Sequence, residues 1–105
     1  MANNNTTYNF DAIDFDSLSE KDQIEIVREN PNLIKFFRHP KRKVQMAAID
    51  ADPHSIRFID DEDRDTAVQI HALEKDESTL HDIKRLTVLA LLAYIGMYRK
   101  GIIIP

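Results

Sequence analysis

Residues 29–59 read ENPNLIKFFRHPKRKVQMAAIDADPHSIRFI, and this stretch decides the fold because one pattern begins in it twice. Asn30-Pro31 returns near the end of the stretch as Asp52-Pro53. A residue that precedes proline is disfavoured in the α conformation, so each pair predicts the end of a helix. The two stops therefore mark the same place in a repeated unit.

The residues on either side of these stops repeat as well. Ile34–Phe37 is matched by Ile56–Ile59, and Val44–Ile49 is matched at nearly the same offset by Val68–Leu73. A period in the low twenties is typical of units that cannot bury their own apolar face and must stack on one another. We predict that the helices at 44–51 and 68–75 are equivalent and lie side by side, with their alanines buried at matching positions.

The chain as a whole is predicted to be all-α, with about three helical pairs wound as a short right-handed solenoid or a compact bundle. Ser19 can cap the first helix, with Asp22 near the positive end of its dipole. Asp65 or Thr66 can cap a later one. The remaining expected helices are 33–37, 44–51, 55–59, 66–75 and a long final helix that Ser78 caps.

The final helix is predicted to be long and apolar. Residues 86–98 carry no charge and are too few to span a bilayer, which needs about 20 residues. A helix that is apolar on every side must be covered on every side. Residues 10–18 and the tail 102–104 can cover it, or a second chain can. We favour a second chain, with a homodimer as the simplest form, through an interface at Leu89, Leu92, Ile95 and Gly96.

Composition bounds the remaining possibilities. The 105 residues allow one helical-repeat domain at 19–105, preceded by a polar arm at 1–18 that we expect to be mobile or to cover the first helix pair. The chain has no cysteine, which excludes a disulfide framework and cysteine-bound zinc. The first residues, MANNNTTYNF, have neither a basic nor an apolar region, so we expect no signal peptide and a cytoplasmic location.

The run from Asn30 to Ile59 resembles the short two-helix repeats of uncharacterised bacterial and bacteriophage proteins. These carry Asn-Pro, then Ile-Lys-aromatic, a proline turn and Val-Gln-x-Ala-Ala, matched here by Asn30-Pro31, Ile34–Phe37, Pro40, Val44-Gln45 and Ala47-Ala48. A weaker copy starts at Asp52-Pro53 and lacks the proline turn. The resemblance implies a HEAT-like α-solenoid and a phage or mobile-element origin. It implies no activity.

Two consecutive turns carry opposite charge. Residues 38–43, RHPKRK, are basic, and residues 60–65, DDEDRD, are mostly acidic. Equivalent turns of stacked units lie next to one another, so the two turns can attract each other and help to set the register. The alternative is that the basic turn recognises a charged partner through the side chains of Arg38, Lys41, Arg42 and Lys43.

The sequence predicts no catalytic, cofactor or metal site. The four histidines lack the spacing of a helical zinc motif. The chain contains no phosphate-binding glycine loop and no serine nucleophile elbow. The acidic turn lacks the glycine and the closing glutamate of a calcium-binding loop.

These observations predict a non-enzymatic protein–protein interaction module. The resemblance adds a specific form, a phage-encoded inhibitor or modulator of a host protein. The alternative is a nucleic-acid-associated protein that binds through the basic turn 38–43, against which the net charge of −4 and the lack of interleaved aromatic residues argue.

Overall fold

The computed structural model describes residues 13–101, apart from the side chains of residues 98 and 99, and these residues are all-helical with no strand among them. The α-helices are α1 (Glu20–Glu29), α2 (Arg42–Ala51), α3 (Thr66–Lys75) and α4 (Val88–Arg99). A six-residue 3₁₀ helix follows each of the first three, at Pro31–Phe36, Pro53–Phe58 and Glu77–Asp82. A shorter 3₁₀ turn, Phe15–Ser17, precedes α1.

Helix boundaries follow from local chemistry. The Ser19 hydroxyl accepts a hydrogen bond from the backbone N–H of Asp22 at 3.2 Å, so α1 begins where the sequence predicts. The Asp65 carboxylate caps α3 in the same way, accepting from Val68 N–H at 3.0 Å. Helices α1 and α2 both end at the residue before the Asx-Pro pair, as the prolines predict.

An α-helix and the 3₁₀ helix after it form one repeated unit. We call these units 1, 2 and 3; they start at Glu20, Arg42 and Thr66, which reproduces the period of the sequence repeat. Each α-helix packs on the next α-helix, and each 3₁₀ helix packs on the next 3₁₀ helix. Ala48 and Ala72 are both fully buried at equivalent positions of α2 and α3, which confirms that these helices are equivalent neighbours.

All three glutamines of the chain stand at the fourth position of an α-helix, and all three are buried. The side-chain amide of Gln45 donates to the carbonyl of Pro40, in the turn before its own helix, at 2.7 Å, and to the carbonyl of Asp63, in the turn of the next unit, at 3.0 Å. Gln69 repeats this arrangement one unit later. These side chains form a glutamine ladder that joins consecutive turns and satisfies backbone groups that burial would otherwise leave unpaired.

The final helix differs from the prediction. Ser78 lies inside the 3₁₀ helix Glu77–Asp82, and α4 begins only at Val88 and has twelve residues. The chain is extended at Ile83, and the Thr87 hydroxyl then caps α4 by accepting from Ala90 N–H at 3.1 Å. The expected long helix from Ser78 is therefore wrong. Gly101 follows the end of α4 and has a φ of 75°, in the left-handed region that glycine adopts readily at helix ends.

The described part of the N-terminal arm packs on unit 1. Phe15 is almost fully buried and stacks on Phe36 and Phe37, with ring centroids 5.9 and 5.4 Å away. The amide of Gln23 donates to the Phe15 carbonyl at 3.0 Å and fixes this segment against α1. The arm therefore covers the first unit at this point, while residues 1–12 lie outside the described part.

Candidate functional site

The outward face of α4 is an apolar surface that no described element covers. Val88 is 71% exposed, Leu89 66%, Leu92 58% and Leu91 43%. The opposite face packs inward, with Ala90 and Met97 buried. We call Val88, Leu89, Leu91 and Leu92 the α4 patch. Four exposed aliphatic side chains on one helix are costly in water, because each contributes about 1.5–3 kcal/mol when it is fully buried.

Comparison between units shows why Leu91, at the centre of this surface, is exposed. Gln23, Gln45 and Gln69, at the fourth helix position, are 5%, 3% and 1% exposed. Leu91 occupies the same position of α4 and is 43% exposed. The residues at the eighth position, Val27 in α1 and Ile49 in α2, are fully buried, whereas Ile95 at the eighth position of α4 is only half-buried. The difference arises because α2, α3 and α4 each cover the helix before them, and nothing described covers α4.

The predicted interface residues lie partly on this surface. Leu89 and Leu92 are exposed, and Ile95 and Gly96 are intermediate. A Cβ built on Gly96 meets no atom within 4 Å, so packing within the described chain does not require a glycine there. Leu91 is also exposed, although it is not among the predicted interface residues. Of the two segments expected to cover this helix, the arm packs on unit 1 where it is described, while residues 10–12 and 102–104 lie outside the described residues.

The basic turn forms ion pairs with its neighbours on both sides. Arg38 lies 3.8 Å from Asp16, and Lys41 lies 4.0 Å from Glu20, which attaches the turn to the arm and to α1. Arg42 pairs with Asp65 of the acidic turn.

The acidic turn pairs with both turns beside it. The His39 ring lies 3.1 Å from an oxygen of Asp63, and Arg85 of the following turn lies 3.7 Å from Asp61. Opposite charges on adjacent turns are therefore paired within the chain. Lys43 is exposed and makes no ion pair among the described residues. All of these pairs are at the surface, where each contributes about 0–1 kcal/mol.

Arg64 is the exception in the acidic turn because it is buried. It immediately precedes Asp65, the residue that caps α3, and the equivalent positions in the neighbouring turns are occupied by Pro40 and Leu86. Its guanidinium pairs with Asp61 and donates to the Ile56 carbonyl at 3.4 Å. Burial lowers the pKa of Arg64, and the nearby Asp60 charge opposes this effect. Arg64 thus anchors the acidic turn on unit 2.

Histidines also join neighbouring units. His54 contacts Asp82 through Nδ1 and Asp76 through Nε2. Asp82 is the last residue of the 3₁₀ helix of unit 3, and Asp76 caps the start of that helix. The hydrogen bond with Asp82 is the main cause that raises the pKa of His54, and partial burial opposes it. The pKa of His39 is raised chiefly by its hydrogen bond with Asp63. His71 pairs with Asp50 of α2 at 2.7 Å.

Ser78, His54 and Asp82 have the connectivity of a hydrolase triad. The Ser78 hydroxyl lies 3.2 Å from His54 Nε2, and Asp82 contacts Nδ1 of the same ring. However, the hydroxyl donates to Asp76 at 2.7 Å, and Asp76 also caps the Ser78 backbone N–H. The arrangement favours a helix-capping role that holds units 2 and 3 together.

One group of side chains in the described part of the chain has the geometry to hold a metal ion. His39, Glu62 and Asp63 each offer one ligand atom, and these atoms lie within 4.8 Å of one another. His39 and Glu62 are exposed, and the His39 ring is already hydrogen-bonded to Asp63. A cation would have to break that bond, so the group is described more simply as part of the pairing between turns.

No known protein family matches the chain, and neither a characterised protein nor a solved structure shows significant similarity to it. Among the described helices, none combines the length and apolar character needed to cross a membrane.

Proposed function

We propose that this protein is a non-enzymatic protein-binding module, built as a short α-solenoid, that associates with another protein chain through the α4 patch. The carrying observation is that Leu91 of α4 is exposed at the helix position where α1, α2 and α3 each bury a glutamine, and that it lies among the exposed side chains of Val88, Leu89 and Leu92. A surface with the shape and polarity of a helix–helix contact, but without its second helix, is suited to a protein partner.

The simplest partner is a second copy of this chain. A two-fold axis at α4 would place each α4 patch against the same patch of the other copy and bury both at once. Gly96 supports close approach, because no described atom fills the space beside it. The form implied by the resemblance, a phage-encoded modulator of a host protein, would use the same surfaces.

Binding of nucleic acid through residues 38–43 is the alternative function. It has less support, since Arg38, Lys41 and Arg42 already pair with carboxylates of the chain. Lys43 is the side chain of this turn that remains available to a partner. Mixing the protein with a labelled oligonucleotide at low and moderate salt tests the alternative directly.

Sedimentation equilibrium of the wild type and of the double variant Leu89→Gln/Leu92→Gln tests the proposal. The wild type should be dimeric at tens of micromolar. The double variant should be monomeric and should melt no earlier than the dissociated wild type, because both side chains are exposed in the monomer.

Ile13→Gln is the matched control, since Ile13 is an exposed aliphatic residue away from α4. It should leave the dimer intact. A wild type that stays monomeric, or a dimer that survives the double variant, would refute dimerisation through α4.

A further inference from the structure

The 3₁₀ helices present a second surface, on which basic side chains recur once per unit. Lys35, Arg57 and His81 occupy the fifth position of the three six-residue 3₁₀ helices, and all three are exposed. We call Lys35 and Arg57, the two charged side chains, the cation row, and His81 continues their line in unit 3. Phe36 and Phe58 follow the first two at the sixth position and are partly buried. The packing of each 3₁₀ helix on the next places these positions along one side of the molecule.

Both members of the row converge on one aromatic ring. The Lys35 ammonium lies 5.3 Å from the ring centroid of Phe36 and 5.7 Å from that of Phe58 in the next unit. The Arg57 guanidinium lies 4.7 Å from the same Phe58 ring. Such contacts attract a cation to the ring face by about 0.5–1 kcal/mol at exposed sites. The rings therefore hold two like charges near one another.

The row differs from the basic turn in lacking counter-charges. Within residues 13–101, no carboxylate forms an ion pair with Lys35, Arg57 or His81. Three of the cations of the basic turn, by contrast, are paired inside the chain. Neighbouring positive charges without carboxylates attract an anionic partner. Because the rings already order the Lys35 and Arg57 side chains, binding costs less conformational entropy.

The repeat spacing selects the form of the partner. Neighbouring packed helices lie about 8–10 Å apart, so the row presents one basic group at about that interval. A polyproline II segment has three residues per turn and a rise of about 3.1 Å per residue. An acidic residue at every third position then recurs on one side at about 9 Å.

We propose that the cation row binds an extended acidic peptide segment of a partner protein, with carboxylates three residues apart that face Lys35 of unit 1 and Arg57 of unit 2. A single-stranded nucleic acid fits less well. Cations already lie over the rings of Phe36 and Phe58, and Phe36 also stacks on Phe15, whereas bases need an open aromatic platform. The α4 patch lies on a different helix, so this site does not depend on dimerisation.

Fluorescence anisotropy with a labelled peptide of repeated Glu-Pro-Pro tests the proposal. A peptide of the same composition, with its glutamates in one block, is the spacing control. We expect the repeated peptide to bind more tightly than the block peptide, and added salt to weaken both. Oligo-dT is the nucleic-acid probe and should compete poorly.

The double variant Lys35→Gln/Arg57→Gln should weaken binding of the repeated peptide about tenfold or more. Lys21→Gln/Lys84→Gln is the matched control, because both lysines are exposed, lie off the row and form no ion pair with described residues. It should change the affinity less than about twofold. Arg57→Lys keeps the charge and should retain most of the binding, which separates loss of recognition from loss of fold.

Three results would overturn the proposal: equal losses in the two double variants, equal binding of the two peptides, or stronger competition by oligo-dT than by unlabelled Glu-Pro-Pro peptide. The Leu89→Gln/Leu92→Gln variant should bind the peptide like the wild type. Failure of the α4 interface and failure of the cation row are therefore distinguishable.

Discussion

Replacement of Gln69 by leucine is the sharpest test of the glutamine ladder. The Gln69 amide donates to the carbonyls of Arg64 and Arg85 at 3.3 and 3.2 Å. Its side-chain oxygen accepts from the backbone N–H of Thr87 at 2.9 Å. Leucine has a similar size but no polar group, so it leaves all three backbone groups buried or half-buried without this partner.

The size of the effect follows from these three bonds. Each buried group that loses its partner costs about 1–3 kcal/mol; because two of the three groups are only half-buried, the gross loss lies in the lower part of the summed range, at about 3–6 kcal/mol. Burial of the leucine side chain returns about 1.5–3 kcal/mol. We therefore expect Gln69→Leu to lower the free energy of unfolding by about 2 kcal/mol. That loss corresponds to a melting temperature about 8–16 °C lower.

Gln45→Leu is the internal comparison. Gln45 makes two bonds rather than three, and its buried side-chain oxygen has no partner among the described residues. Leucine removes that unpaired oxygen as well as the two bonds, so the net cost should be below about 1 kcal/mol. Glu74→Leu, on the exposed side of α3, is the surface control and should stay within about 0.5 kcal/mol.

Urea denaturation followed by helical circular dichroism measures all three variants. The expected order of destabilisation is Gln69→Leu first, then Gln45→Leu, then Glu74→Leu. A Gln69 variant as stable as the wild type, or no less stable than the Gln45 variant, would contradict the ladder as a source of stability.

Two further predictions concern contacts between units. The pKa of His54 is raised, so its pairing with Asp82 and Asp76 stabilises the fold fully below the ordinary histidine pKa of 6.5, and this stabilisation is lost as the pH rises through the pKa of the folded state. The pKa of Asp76 is lowered, so the stabilisation that Asp76 contributes is lost as the pH falls below the ordinary aspartate pKa of 3.8. The melting temperature should therefore be higher near pH 5.5 than near pH 8, and His54→Asn should reduce this difference. Ala72→Leu should lower the free energy of unfolding by about 1–3 kcal/mol, because Ala72 is fully buried in the core beside α2 and a larger side chain would overpack it. A denaturation midpoint equal to that of the wild type would show that α2 and α3 are not closely packed there.

Much of the fold could be predicted because its signals are local. The Asn30-Pro31 and Asp52-Pro53 pairs act on the backbone of their own neighbours, so they predict helix ends without knowledge of the packing. Ser19 predicts a helix start for the same reason. The final helix was mispredicted because no proline separates residues 78–82 from 88–99, and the break depends on the Thr87 cap and on its bond with Gln69.

The parts of the sites that were missed depend on contacts between units. Polar residues in a helix usually face water, so the burial of the glutamines was not predicted, although their identical helix position was visible in the sequence. Lys35 and Phe58 belong to different units, as do His54 and Ser78, hence only alignment of the units brings each pair together. Pairing of the charged turns, by contrast, was predictable from charge sign and the repeat period.

The residue that replaces glutamine in α4 limits the kind of partner that the proposed interface would accept. In units 2 and 3 the fourth-position glutamine binds a backbone carbonyl of the next turn, so the ladder requires a following turn at a fixed place. Leu91 offers no such hydrogen bond. A partner on α4 must therefore be held by apolar side-chain packing, with its backbone polar groups satisfied within its own helix. The α4 helix of a second copy meets this requirement, whereas a turn like those between units 2 and 3 would leave its carbonyls unpaired against Leu91. This difference favours a two-fold pairing of α4 with α4 over a head-to-tail continuation of the repeat.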